Sequence, residues 1–129
     1  MRRKANGQAL VEWALTIGLV VVLLIGGLQF LYSVYLTQQV RAAAADAVNV
    51  AAVYGGDTAE FQQQLPAILA TYRLDPALAV VQVSPPHGSY LEPLTVRVEY
   101  QVTVRVYGLF DLPIKAQEAR ALSQKDWDW

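Results

Sequence analysis

Between Glu12 and Arg41 the chain carries no charged residue, and that gap constrains its fold more than any other feature. Within it, residues 14–36 hold fourteen Leu, Ile, Val or Phe in twenty-three positions. On a membrane-insertion scale these contribute about −4 to −8 kcal/mol, at roughly −0.3 to −0.6 kcal/mol each. Glu12, near the end of the run, opposes this by at most about 3 kcal/mol, so insertion wins. As a helix at about 1.5 Å per residue the run is about 35 Å long, enough for a hydrocarbon core of about 30 Å with some tilt. The charged fraction of the chain, 16 %, is low because of this segment and not because of the rest.

Arg2, Arg3 and Lys4 precede the run. Without them seven basic residues face eleven acidic ones. A basic leader ahead of an acidic body holds that end of the helix in the cytoplasm and sends the far end across. A cleaved secretory signal would have a shorter apolar region followed by a small-residue cleavage site. Here the run passes into Gln29, Ser33 and Tyr35 without a break. A plain signal anchor explains the leader and the run, but not Glu12, because an ionisable residue at the mouth of a membrane helix marks function. If the chain is cut after Gly7, Gln8 becomes the first residue and Glu12 the fifth. A new ammonium then lies about one helical turn from the carboxylate. The ammonium of a neighbouring subunit could pair with Glu12 in a low-dielectric setting, which fixes register more than it adds stability.

The stretch Gly7-Gln8-Ala9-Leu10-Val11-Glu12-Trp13-Ala14-Leu15, with the later Val40-Arg41-Ala42-Ala43-Ala44-Ala45, resembles the amino end of TadE-like pseudopilins of tight-adherence (Tad/Flp) pili. The resemblance extends from Gly7 to about Ala52. It implies a type IV pilin-like protein, cut by a prepilin peptidase between Gly7 and Gln8, with Glu12 and Trp13 at the assembly site. Its implied partners are other pilin or pseudopilin subunits, the prepilin peptidase, an inner-membrane assembly platform and the membrane itself. Gly18 stands where the family often has proline, and Trp13 where major Flp pilins usually have tyrosine. Those pilins also lack an outer domain of this size, which favours a minor pseudopilin.

Beyond the apolar run, Val40, Ala44, Ala47, Ala51 and Tyr54 recur at helical spacing. Seven of the eleven residues 42–52 are alanine, the best helix former, and their small side chains allow a sheet or another helix to approach closely. Gly18, Gly26 and Gly27 read likewise as points of close helix packing. Gly55-Gly56 supplies the stop. The expected organisation is a leader over 1–7, a helix over 8–54 with its transmembrane part at about 13–36, and a small α+β outer domain over 55–129. In the outer domain, Asp57 and Glu60 have capping-box spacing for a short second helix whose apolar face is Phe61, Leu65, Ile68, Leu69 and Tyr72. Pro66 predicts a kink or a split there. Residues 78–83 read as a strand ended by the turn Pro85-Pro86-His87-Gly88. Strict alternation over residues 95–106, valine or tyrosine against polar residues, predicts one long half-buried strand in an antiparallel sheet. Pro113 would open a third strand over 114–122, although residues 116–122 also fit a helix. The fold class is therefore α+β and pilin-like, a long helix whose distal half packs on a small antiparallel sheet.

Little else in the chain carries chemistry. Net charge −1 gives no field for nucleic acid, and there are no cysteines for disulfides or thiolate sites. His87 is the sole histidine and reads as an exposed loop residue, so no metal or cofactor is expected. No nucleophile elbow, phosphate loop or paired catalytic carboxylates occur, which leaves a membrane-tethered enzyme with little support. Arg97 and Glu99 suit cross-strand pairing. Arg41 and Asp46, five apart, read as solvated positions. Trp127 and Trp129, flanked by aspartates, suit either a mobile terminus or an interface anchor. The chain thus reads as a minor pseudopilin of the cytoplasmic membrane, single-pass, amino terminus inside and outer domain outside, passing to a surface pilus. The competing reading is an uncleaved single-pass protein whose extracytoplasmic domain binds a ligand or partner.

Overall fold

The computed structural model describes residues 2–125, with side chains from Asn6 onward. One helix, α1 (Arg2–Tyr54), runs for 53 residues, or about 80 Å. It begins six residues before Gln8, because Arg, Lys and Ala favour helix strongly enough that Asn6 and Gly7 do not interrupt it. It ends in a Schellman motif: Gly55 takes φ 79°, and Gly56 N donates to Ala51 O at 2.8 Å.

The second helix, α2 (Ala59–Thr71), is capped by Thr58, whose hydroxyl accepts from Phe61 N. The cap lies one residue beyond the expected Asp57. Asp57 instead accepts from the Gln62 side-chain amide, and Glu60 sits in the first turn. Pro66 does not split the helix. Its missing donor would strand the carbonyl of Gln62, but both residues are exposed and water can serve that carbonyl. Phe61 and Leu69 are buried, with Leu65, Ile68 and Tyr72 half-buried, so the expected apolar face is the one that packs. The helix ends with Arg73 left-handed at φ 58° and Leu74 N donating to Leu69 O at 2.9 Å.

The strands are β1 (Ala79–Ser84), β2 (Pro93–Tyr100), β3 (Thr103–Val106), β4 (Phe110–Pro113) and β5 (Gln117–Leu122). Three form an antiparallel sheet in the order β1-β2-β5, and β3 pairs with β4 in a separate hairpin. On β2, Leu94, Val96, Val98 and Tyr100 are buried while Arg97 and Glu99 are exposed, the alternation of a sheet with one solvated face. Arg97 pairs across the sheet with Glu118 at 3.7 Å.

The alternating stretch 95–106 is two strands, not one. Partners run out at its middle: Val98 meets Gln117, the first residue of β5, and Tyr100 meets Ala79, the first residue of β1. Gln101 N then donates to Leu78 O at 2.9 Å and Val102 N to Tyr100 O at 2.9 Å, and the chain swings away to pair with β4. The period survives the swing, since Val104 is still buried. Pro113 closes β4 rather than opening a strand, and residues 117–122 are strand, not helix.

The core lies between the distal half of α1 and the sheet. Leu36, Val40, Ala43, Ala44, Ala47, Val48 and Ala51 from α1 join Phe61, Leu69, Leu74, Val96, Val98, Tyr100, Val104 and Ile114 in one cluster. Alanine on α1 lets the valine face of β2 come close, and Phe61 supplies the bulk that alanine lacks.

Candidate assembly face

The proximal half of α1 is the least self-satisfied part of the molecule. Its most apolar 18-residue window has a mean hydropathy of 2.4, and none of that window is buried. Residues 10–35 are exposed except for Gly26, Gln29 and Ser33. A continuous apolar cylinder of this size must be covered by lipid or by other chains.

Glu12 and Trp13 lie at the amino-terminal end of the apolar run, both exposed. Glu12 forms no ion pair with any described residue, and its backbone carbonyl accepts from the Thr16 hydroxyl at 2.9 Å. Gly7 and Gln8, on the same helix, are also exposed. A Cβ added at Gly7, Gly18 or Gly27 would meet nothing within 4 Å, so these faces are open on the subunit itself.

Gly26 is different. A Cβ there would stand 2.6 Å from Tyr107 Cζ. The close approach is made by the β3–β4 turn of the same chain, not by another helix. The Tyr107 hydroxyl donates to Val22 O, and Tyr107 N donates to Gln29 Oε1 at 2.8 Å. Val22, Gly26, Gln29 and Ser33 share one face at helical spacing. Nothing in the sequence tied Tyr107 to that face. The available signal was the isolated polar Gln29 within an apolar run.

Ala44, Ala47 and Ala51 are buried, and the element that approaches them is the sheet. Arg41 is exposed, as a solvated position should be, whereas Asp46 is half-buried. Arg41 Nε donates to Gln117 Oε1 at 3.3 Å, and Asp46 accepts from the Tyr72 hydroxyl, tying α2 to α1. The loop residues 85–88 lock the end of α1: Asp57 N donates to Pro86 O at 2.6 Å and Gly88 N to Gly55 O at 2.9 Å. A Cβ on Gly56 would lie 2.8 Å from Pro86 C. His87, exposed, bridges to Gly56. Ser123 is fully buried and its hydroxyl donates to Gly88 O at 3.3 Å, a contact with no sequence signal. Trp127 and Trp129 lie outside the described residues.

Among the described residues, two groups in the outer domain shift. The Glu60 carboxyl is held below its ordinary value, chiefly by a backbone hydrogen bond at the helix start and then by the Thr58 hydroxyl. The Tyr72 phenol is raised, chiefly by its hydrogen bond to Asp46. A raised folded value means that the Tyr72 bond contributes fully below the unfolded value of 10.0 and is lost as pH rises through the folded one. Ultraviolet titration of the phenolates is therefore expected to show a late-ionising tyrosine, absent in Tyr72→Phe. An unchanged titration curve in that variant would contradict the Tyr72–Asp46 bond.

Residues 7–49, one third of the chain, match the model of a family described as TadE-like protein. No curated protein and no solved structure matches. The match covers Gly7, Glu12, the uncovered apolar cylinder and most of the alanine face, and over this third the chain is similar to TadE-like proteins.

Proposed function

We propose that this chain is a minor pseudopilin, inserted with its leader inside, cut between Gly7 and Gln8 by a membrane prepilin peptidase, and built into or priming a pilus through its proximal helix. It is a substrate of the peptidase and not itself an enzyme. The outer domain is then extracytoplasmic, and the protein passes from the cytoplasmic membrane to a surface pilus by way of an inner-membrane assembly platform.

The observation that carries this reading is the position of Glu12. It lies five residues after Gly7 on a helix that its own fold leaves uncovered. Cleavage places an ammonium on Gln8, and the Glu12 carboxylate of a neighbour is a charge of opposite sign inside a water-poor bundle. Open surfaces at Gly18 and Gly27 allow close lateral approach of neighbouring helices. The second reading, an uncleaved single-pass protein with a binding domain, draws on the continuity of α1 through Gly7 and Gln8, since a peptidase must unwind that turn to reach the bond.

Deletion of the chain from cells that make Tad pili is expected to abolish or sharply reduce surface pili. Antibody to the outer domain is expected to label sheared pilus preparations. Normal piliation in the deletion strain, with antibody signal confined to the membrane fraction, would favour the uncleaved reading instead.

A further inference from the structure

The β3–β4 hairpin descends along α1 onto the exposed apolar cylinder. Its tip is a four-residue turn, Val106-Tyr107-Gly108-Leu109, closed by Leu109 N donating to Val106 O at 3.1 Å. Tyr107 and Gly108 both have positive φ, 57° and 67°, as the two central residues of a type I′ turn do. The first of these positions normally goes to Asn, Asp or Gly, since a bulky side chain is strained there. Tyr107 is held there by its ring on Gly26, its hydroxyl on Val22 O and its backbone N–H on Gln29. The other tip side chains face outward: Leu109 is 80 % exposed and Phe110 64 %.

Polar groups begin one strand pair above the tip. Arg105 and Asp111 pair at 3.3 Å. Above the tip, a cavity of about 380 Å³ between α1 and β4 is lined by Phe30, Val34, Leu112 and Lys115 among others. On α1, the stacked Tyr32 and Tyr35 follow Gln29. Beyond Gln29 the apolar run of α1 thus passes into aromatic residues, while the hairpin beside it passes from an apolar tip to a charged pair, as at a membrane–water boundary.

We infer that the turn 106–110 is a second membrane contact, with Leu109 and Phe110 inserted at the outer boundary of the bilayer beside α1. The inference rests on the reading of α1 as membrane-spanning. It also sets the depth of the helix. A hydrocarbon span of about 20 residues that ends near Gln29 begins near Leu10, which leaves Glu12 just inside and the basic leader at the headgroups. A span ending at Leu36 would drag the Arg105–Asp111 pair into hydrocarbon, and Leu36, at 6 % exposure, faces the sheet rather than lipid. At the inferred depth the turn lies at the interface, where its remaining backbone groups still reach water or headgroups. A lipid occupant is favoured over a second copy because the exposed tip is continuous with the exposed helix surface at the same depth.

The chain has no cysteine, so single nitroxide labels can be placed on full-length protein at Leu109→Cys, Leu19→Cys and Arg120→Cys, each in nanodiscs of phosphatidylcholine and phosphatidylglycerol holding one chain. The label at 109 is expected to be relaxed more by molecular oxygen than by a water-soluble nickel chelate, as the label at 19 is, while the label at 120 shows the reverse. A water-accessible label at 109 beside a lipid-embedded one at 19 overturns the inference and leaves the spanning helix intact. Protection at 109 that requires several chains per disc assigns the tip to a second copy and also overturns it. Water access at 19 removes the spanning helix and the inference with it.

Discussion

Phe61→Ala is expected to destabilise the outer domain by about 3–5 kcal/mol, the usual cost of deleting a buried aromatic side chain. Phe61 is fully buried at the start of α2, in the cluster that joins α1 to the sheet. The alanine-rich face of α1 cannot swell to fill the space, and β2 is held by partners on both edges, so the site collapses poorly. Chemical denaturation of the detergent-solubilised full chain reads the change. Val53→Ala, on the exposed side of α1, is the matched control and should stay within about 0.5 kcal/mol. A loss below about 1 kcal/mol for Phe61→Ala, well short of the range for aromatic deletions, would mean that α2 does not cover the core as described.

Glu12→Ala is expected to have the largest functional effect while leaving the fold unchanged. Glu12 touches no part of the outer domain, and its side chain pairs with no described residue. In the proposed assembly its loss strands an ammonium in a low-dielectric bundle. Breaking a buried pair on one side costs about 3–5 kcal/mol, so incorporation into pili should fall by on the order of a hundredfold or more. Quantitative blotting of sheared pili against the membrane fraction checks this. Membrane retention and leader removal should both persist, because neither depends on lateral pairing. Incorporation at the normal level would remove Glu12 from the assembly mechanism.

Where a residue pattern has one physical cause, the sequence displayed it. The uncharged run, the alanine face and the glycine pair at its end each follow from local chemistry, and each appears in α1 as expected. The alternation of 95–106 showed which side chains face the core, but not that the strand breaks at Gln101. Periodicity reports facing, whereas strand ends are set by where the partners β1 and β5 stop. Capping at Thr58 rather than Asp57 is a one-residue shift between two competent side chains, which spacing alone does not resolve. The contact of Tyr107 with Gly26 joins residues 81 positions apart, and no local rule reaches that far. At the amino-terminal end of α1, Gly7, Gln8, Glu12 and Trp13 form one linear motif, and the structure shows them exposed on a single helix. The role proposed for them rests on contacts with molecules outside the single chain.

The account stands most directly on the first residue of the mature protein. Intact-mass and amino-terminal sequencing of the membrane-extracted chain, from cells with an active prepilin peptidase and from a peptidase-deficient strain, tests it. The account predicts that the chain starts at Gln8 in the first and keeps the leader in the second. A chain that retains residues 1–7 in both strains would contradict it, and would leave a tethered outer domain with no new ammonium to meet Glu12.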